Sequence, residues 1–101
     1  EDGEYLGYLS YELNYKGTPI TKIHKIYVLP SIQGKGVGSL FIDVVSKIAL
    51  KNNNTLLSLN VNRYNKAIDF YKRMGFDFFT SENIDIGNGF LMEDYVMNKD
   101  L

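Results

Sequence analysis

The sequence predicts an α/β fold built on a mixed sheet, with elements in the order β-β-α-β-α-β-β. Two observations carry this. An extended apolar run, Ile20 to Leu29, leads through a glycine-rich stretch into a segment of helical period and then into a second extended run, Thr55 to Val61. Strand, helix and strand in that order form a βαβ unit, which crosses over right-handed and pairs its strands in parallel. Shorter alternating segments flank this unit on both sides, and strands close in sequence pair antiparallel. The 101 residues are read as one domain with a small but adequate core.

The elements follow in order. Glu1-Asp2-Gly3-Glu4 has the Asp-Gly signal of a hairpin turn, yet the strand before that turn is missing, so the chain reads as the C-terminal part of a larger domain. Tyr5 to Leu13 alternates, with Leu6, Tyr8, Ser10 and Glu12 on one face and Tyr5, Gly7, Leu9, Tyr11 and Leu13 on the other. Its edge is exposed and suits pairing with a second copy of the chain. Asn14 to Pro19 is a loop, and Ile20 to Leu29 a strand stopped by Pro30. Apolar residues at Val37, Leu40, Phe41, Val44, Val45, Ile48 and Ala49 then give an amphipathic helix. Lys51 favours its C-terminus, and Asn52-Asn53-Asn54 ends it. In the strand Thr55 to Val61, Leu57, Leu59 and Val61 share a face. Asn65 is placed to cap a second helix carrying Ala67, Ile68, Tyr71 and Met74, which ends at Gly75 with Phe76 as its apolar partner. Phe76 to Thr80 reads as a short strand, Ser81 to Gly89 as a polar loop, and Phe90 to Met97 as a last strand.

Composition excludes several classes of function. Hydrophobic content of 45% and charged content of 23% are ordinary for a globular protein. A net charge of −1 gives no broad drive toward nucleic acid or an anionic membrane, and no apolar run approaches a membrane span. The absence of cysteine excludes disulfides, thiolate metal sites and a cysteine acyl-enzyme, and it fits a cytoplasmic protein. The single histidine, His24, rules out a multi-histidine metal site within one chain, and no metal is expected.

The glycine-rich stretch is the first candidate site. Gly34, Gly36 and Gly38 allow a tight turn and close approach of a ligand, and the helix that follows aims its N–H groups and positive dipole end into the loop. That is an anion site suited to phosphate; a ligand-free turn is the alternative. The loop lacks the Gly-Lys-Ser/Thr ending of a P-loop. It also lacks the spacing of a dinucleotide fingerprint, since the third glycine comes one place early. It does contain Gln-x-x-Gly-x-Gly at Gln33, Gly36 and Gly38, preceded by Tyr27-Val28-Leu29-Pro30. Further on stands Asn65-Lys66-Ala67-Ile68-Asp69-Phe70-Tyr71-Lys72-Arg73-Met74-Gly75-Phe76.

The first motif resembles the acetyl-CoA loop of the GNAT superfamily of N-acetyltransferases. The second resembles that family's Asn…Ala-Ile-x-Phe-Tyr-x-x-x-Gly-Phe signature. The ending Asn88 to Met97 is similar to the polyamine and diamine acetyltransferase branch. The resemblance runs from the third family strand to the seventh and leaves the earlier elements without a counterpart. It implies direct acetyl transfer from acetyl-CoA, the co-substrate, to a primary amine of a small molecule or polyamine.

It also implies roles for single residues. Main chain of Gly34, Lys35, Gly36, Val37, Gly38 and Ser39 holds the pyrophosphate, and Gln33 braces the loop. Ile26, Tyr27 and Val28 line the acetyl-pantetheine arm, which lies like an added strand where this strand splays from the one at Leu56 to Asn62. Tyr71 protonates the leaving thiolate. Asn65 contacts the arm or only caps its helix, with Asn62 as competitor, because Tyr64 holds the place usual for the asparagine. For the base, His24 is set against a surface histidine. Glu82, Asp85, Glu93 and Asp94 either attract a cationic amine or form a solvated rim. A CoA-binding module without activity, or an incomplete fragment, is the alternative to an enzyme.

Overall fold

The structure, a computed structural model, describes residues 7–29, 36–87 and 90–101, and of 83–86 and 90–93 the backbone alone. The strands are β1 (Gly7–Glu12), β2 (Ile20–Val28), β3 (Leu56–Asn62), β4 (Asp77–Gly87) and β5 (Phe90–Asp100); the helices are α1 (Val37–Lys51) and α2 (Ala67–Arg73). The element order is the expected one, with a 3-10 turn at Tyr15–Gly17 added in the first loop. The strands form one sheet in the order β1-β2-β3-β5-β4. β2 and β3 are parallel, and every other neighbouring pair is antiparallel.

The core lies between one face of the sheet and the two helices. Ile23, Leu57, Leu59, Val61 and Met97 from the strands meet Ile42, Val45 and Ala49 from α1, with Phe76 beside them. Ile68, Phe70, Tyr71 and Met74 close the cluster from α2. The buried stripe of α1 is narrower than its apolar pattern: Leu40 and Val44 are exposed, and Ile42 takes their place inside. A helix resting on a sheet from one side covers little more than a third of its circumference, so the outermost apolar positions stay in solvent.

One expectation fails. Ser81 to Gly87 is strand, and β4 stays paired with β5 from Asp77↔Asn98 to Gly87↔Phe90. The alternation Asn83-Ile84-Asp85-Ile86 has the period of a strand, and the polar side chains belong to a sheet-edge strand rather than a loop. β5 correspondingly runs on to Asp100. Residues 88 and 89, expected to end the loop, and Glu1 to Glu4, expected in a turn, lie outside the described residues.

Both loops that end the helices use backbone geometry. Gly75 has φ +99°, the Phe76 N–H donates to the Tyr71 carbonyl at 3.0 Å, and the Gly75 N–H donates to the Lys72 carbonyl at 3.1 Å. This is a Schellman ending, and its apolar contact is the edge-to-face pair of Tyr71 and Phe76 at 5.7 Å. Gly75→Ala is expected to lower stability by about 1 kcal/mol, because only glycine adopts this φ without strain. Thermal unfolding should register the loss as roughly 5 °C in Tm. At the end of α1, Asn54 is 1% exposed. Its Oδ1 accepts from the Asn14 N–H at 3.0 Å and the Thr21 hydroxyl at 2.8 Å. Its Nδ2 donates to Asn14 Oδ1 at 2.8 Å and the Asn52 carbonyl at 3.0 Å.

Candidate functional site

β2 changes course at His24. On one side, Ser10 pairs with Lys25 and Tyr11 with Ile23, so His24 is the extra residue of a β-bulge. On the other side, pairing with β3 covers only Ile20↔Leu56 to Ile23↔Leu59. β1 stays with β2 up to Gly7↔Val28, and β5 stays with β3 up to Asn62↔Asp94. The sheet therefore opens into a wedge between the C-terminal halves of two parallel strands. The bulge also exchanges the faces of β2. Thr21 and Ile23 point inward before it, and Ile26 packs on the core after it, while Lys25 and Tyr27 are exposed. Tyr27 instead stacks on Tyr8 of β1 with centroids 5.4 Å apart.

α1 runs back along this βαβ unit, so its N-terminus lies at the end of the sheet where β2 and β3 part. Gly36, with φ +81°, caps it, and no acidic residue occupies its first turn. The N–H groups of Val37, Gly38 and Ser39 lie in the first turn, where the helix itself offers them no acceptor. Gly38 has a second task. A Cβ there would stand 3.0 Å from the Phe70 ring, so the first turn of α1 fits closely against α2. Gln33, Gly34 and Lys35 lie outside the described residues.

α2 carries Tyr71 into the core side of the site. Its ring meets Phe70 at 5.4 Å and Phe76 at 5.7 Å, both edge-to-face. Burial raises its pKa above the ordinary phenol value. Asn65 Oδ1 accepts from the Ala67 N–H at 2.8 Å and thereby caps α2. Asn62 Oδ1 accepts from the Tyr64 N–H at 3.0 Å. The side-chain oxygens of both asparagines are engaged in local turns.

The other face of the sheet holds a cavity of about 530 Å³, and none of its lining residues comes from α1 or α2. His24 lines it, with Nε2 3.2 Å from Glu12 Oε1. Lys22 Nζ donates to Asn60 Oδ1, and Asn60 Nδ2 donates to Glu82 Oε2 at 3.2 Å. Asp94 is 8% exposed and stands opposite both Asn62 and Glu82 in the sheet. Of the expected acidic group, Glu82 and Asp94 are thus brought together; the side chains of Asp85 and Glu93 lie outside the described residues. Sequence reasoning passed over Lys22 and Asn60, because only their alternation along neighbouring strands signals a shared face, and Tyr15, which reaches the cavity from the 3-10 turn. Among the described residues no group of three or more His, Cys, Asp or Glu could hold a metal ion, and no helix is long and apolar enough to cross a membrane.

Known proteins resemble this chain in sequence and in fold. A family model described as Acetyltransferase (GNAT) family matches residues 1–76. Thialysine N-epsilon-acetyltransferase of Bos taurus is 40% identical over 74 residues, which are 72% of this chain and 42% of that protein. An uncharacterized N-acetyltransferase of Methanocaldococcus jannaschii is 32% identical over 81 residues, 75% of this chain and 36% of that protein. The crystal structure of PaiA N-acetyltransferase from Thermoplasma acidophilum in complex with coenzyme A matches the fold with a TM-score of 0.78 at 22% identity, covering 100% of this chain and 57% of that one. The chain spans between 36% and 51% of the curated relatives it matches. Its opened sheet, its glycine-capped helix and the family match across three quarters of its length make this chain a member of the GNAT family of acetyltransferases.

Proposed function

We propose that this chain binds acetyl-CoA and transfers its acetyl group to the primary amine of a small molecule. The observation that carries the reading is the loss of pairing between β2 and β3 beyond Ile23 and Leu59. Two strands held apart within one sheet offer main-chain groups to an extended ligand, and the pantetheine arm with its two amides is such a ligand. Ile26, Tyr27 and Val28 supply that edge through their backbone. The loop from Gln33 to Ser39 and the first turn of α1 hold the pyrophosphate through N–H groups.

Acetyl-CoA supplies an activated acyl group as a thioester. The amine must reach the carbonyl carbon with its lone pair free, and an aliphatic amine is mostly protonated at neutral pH. His24, paired with Glu12, is the base on the acceptor side. As the C–N bond forms and the C–S bond breaks, the Tyr71 hydroxyl gives its proton to the departing sulfur. A phenol is protonated at neutral pH and so carries the proton that step needs. The bovine relative is named for thialysine, and the chain's ending resembles polyamine and diamine acetyltransferases. Both support a small amine as acceptor.

Calorimetric titration with acetyl-CoA tests the reading, with Gly36→Glu as control. The native chain is expected to bind. The variant should lose at least tenfold in affinity, since it sets a carboxylate beside the phosphate site. Circular dichroism should show that it keeps its fold. No binding to the folded native chain would overturn the proposal, and binding without turnover would leave a CoA-binding module.

A further inference from the structure

We infer that the chain acetylates itself: Lys22 takes the acetyl group of bound acetyl-CoA, and its side chain becomes an acetyl amide. This goes beyond the function proposed above and rests on it. The wedge has its apex at Ile23↔Leu59, the last pair of β2 with β3. Lys22 stands one residue before the apex on β2, and Asn60 one residue beyond it on β3. Lys22 Nζ donates to Asn60 Oδ1, so the side chain bridges from the closed part of the sheet to the open part. Both residues line the cavity on the helix-free face, as does His24. An arm whose pyrophosphate lies at the first turn of α1 enters the wedge from its open end, and its acyl group lies deepest, toward the apex.

The nitrogen is held there by a neutral group. Its acceptor is the Asn60 amide, whose Nδ2 donates in turn to Glu82 Oε2 at 3.2 Å. That second bond turns the amide oxygen toward Lys22 and fixes where the nitrogen sits. The Tyr15 ring, 5.6 Å from Nζ, covers another side of it. Lys22 is half-buried, and burial, the largest influence on its pKa, lowers it; Glu82 opposes this, Lys16 adds repulsion, and Asp94 attracts. A lysine whose ammonium form is disfavoured by burial more often offers the lone pair that attack on a thioester requires. Lys47 on α1 is the contrast, with a side chain 77% exposed and its Nζ paired with Asp43 at 3.2 Å.

The step balances with the groups already described. Lys22 Nζ gives one proton to His24, which passes it to solvent, and attacks the carbonyl carbon of the thioester. The C–N bond forms, the C–S bond breaks, and the sulfur leaves with the proton of Tyr71. A second proton leaves the nitrogen for solvent, and Tyr71 recovers one from there. Free CoA, one released proton and an uncharged Lys22 amide are the products. That amide keeps one N–H, enough to hold its bond to Asn60 Oδ1 after the charge is gone.

Mass spectrometry tests the inference, starting from folded chain unmodified at Lys22 and supplying isotopically labelled acetyl-CoA with no free amine. Lys22 is expected to take up one acetyl group, at least about tenfold faster than Lys47, because the thioester is delivered to it. Dilution of the protein by about tenfold, at saturating acetyl-CoA, should leave the rate constant unchanged, as transfer within one chain requires. Desulfo-CoA, which has no acyl group to give, should suppress labelling of Lys22 and leave Lys47 as before. Lys22→Arg keeps the cation and should abolish the fast phase of labelling. Labelling of Lys22 no faster than Lys47, a rate that falls with dilution, indifference to desulfo-CoA, or a fast phase that survives in Lys22→Arg overturns the inference while acetyl-CoA binding still stands. Failure of the folded native chain to bind acetyl-CoA, read by titration, overturns the proposed function, and this inference with it.

Discussion

Asn54→Ala is expected to destabilise the chain by about 3 kcal/mol, and its midpoint of thermal unfolding should fall by more than 10 °C. The side chain joins three segments at once: the turn after β1 through Asn14, the start of β2 through Thr21, and the end of α1 through Asn52. Its removal leaves two donors, the Asn14 N–H and the Thr21 hydroxyl, and two oxygen acceptors without these partners, and adds a cavity at a buried position. An unpartnered buried polar group costs about 1–3 kcal/mol, and the neighbours relax only in part, so the sum stays below simple addition. Asn54→Asp supplies the control for shape. It keeps the acceptor but turns an oxygen toward Asn14 Oδ1 and the Asn52 carbonyl, so it too should destabilise at neutral pH. Denaturant titration of both variants checks the expectation. A loss under 1 kcal/mol in each would mean that the three segments hold together without this residue.

Tyr71→Phe is expected to lower kcat for acetyl transfer by about 100- to 1000-fold, the range of a positioned proton donor. Acetyl-CoA affinity should stay within about threefold, because the ring and its contacts with Phe70 and Phe76 remain. Stability should hold or rise, since the change removes a polar group from a partly buried position. A variant that is at least as stable and far less active separates proton donation from packing; equal loss of both would assign Tyr71 to the core alone. The pH dependence follows from the raised pKa. Below the ordinary phenol pKa both folded and unfolded tyrosine keep the proton, so this residue contributes no slope. Above it the unfolded chain ionises first, and stability falls as pH rises toward the folded value. The phenylalanine variant should lack that alkaline slope.

Much of this was legible in the residues. α1, β3 and α2 follow from apolar spacing, and the Gly75-Phe76 ending follows from chemistry that glycine alone satisfies. The parallel pairing of β2 with β3 follows from the length of the crossover. Three features were hidden for different reasons. β4 carries so many Ser, Asn and Asp residues that its alternation was outweighed by turn chemistry. Asn54 acts across 33 and 40 residues of sequence, and such separation leaves no local trace. Gly38 answers to the Phe70 ring on another helix, so its small size reads in the sequence as loop freedom instead. Tyr71 was singled out by its motif alone, since helical spacing places it among core aromatics, where its ring indeed lies.

The extra residue at His24 makes β2 sensitive to counting. Removing any one residue between Thr21 and Ile26 would leave the strand's composition nearly intact and restore an unbroken ladder with β1. With His24 itself removed, Lys25 would follow Ile23 directly and keep its partner Ser10, so Lys25 and Tyr27 would stay outward and Ile26 inward while the bend between the two halves of the strand is lost. A single-residue gap here, which looks like the mildest of edits when sequences are laid side by side, would thus leave inside and outside in place and take away the irregularity at which the half-strand bordering the wedge changes course.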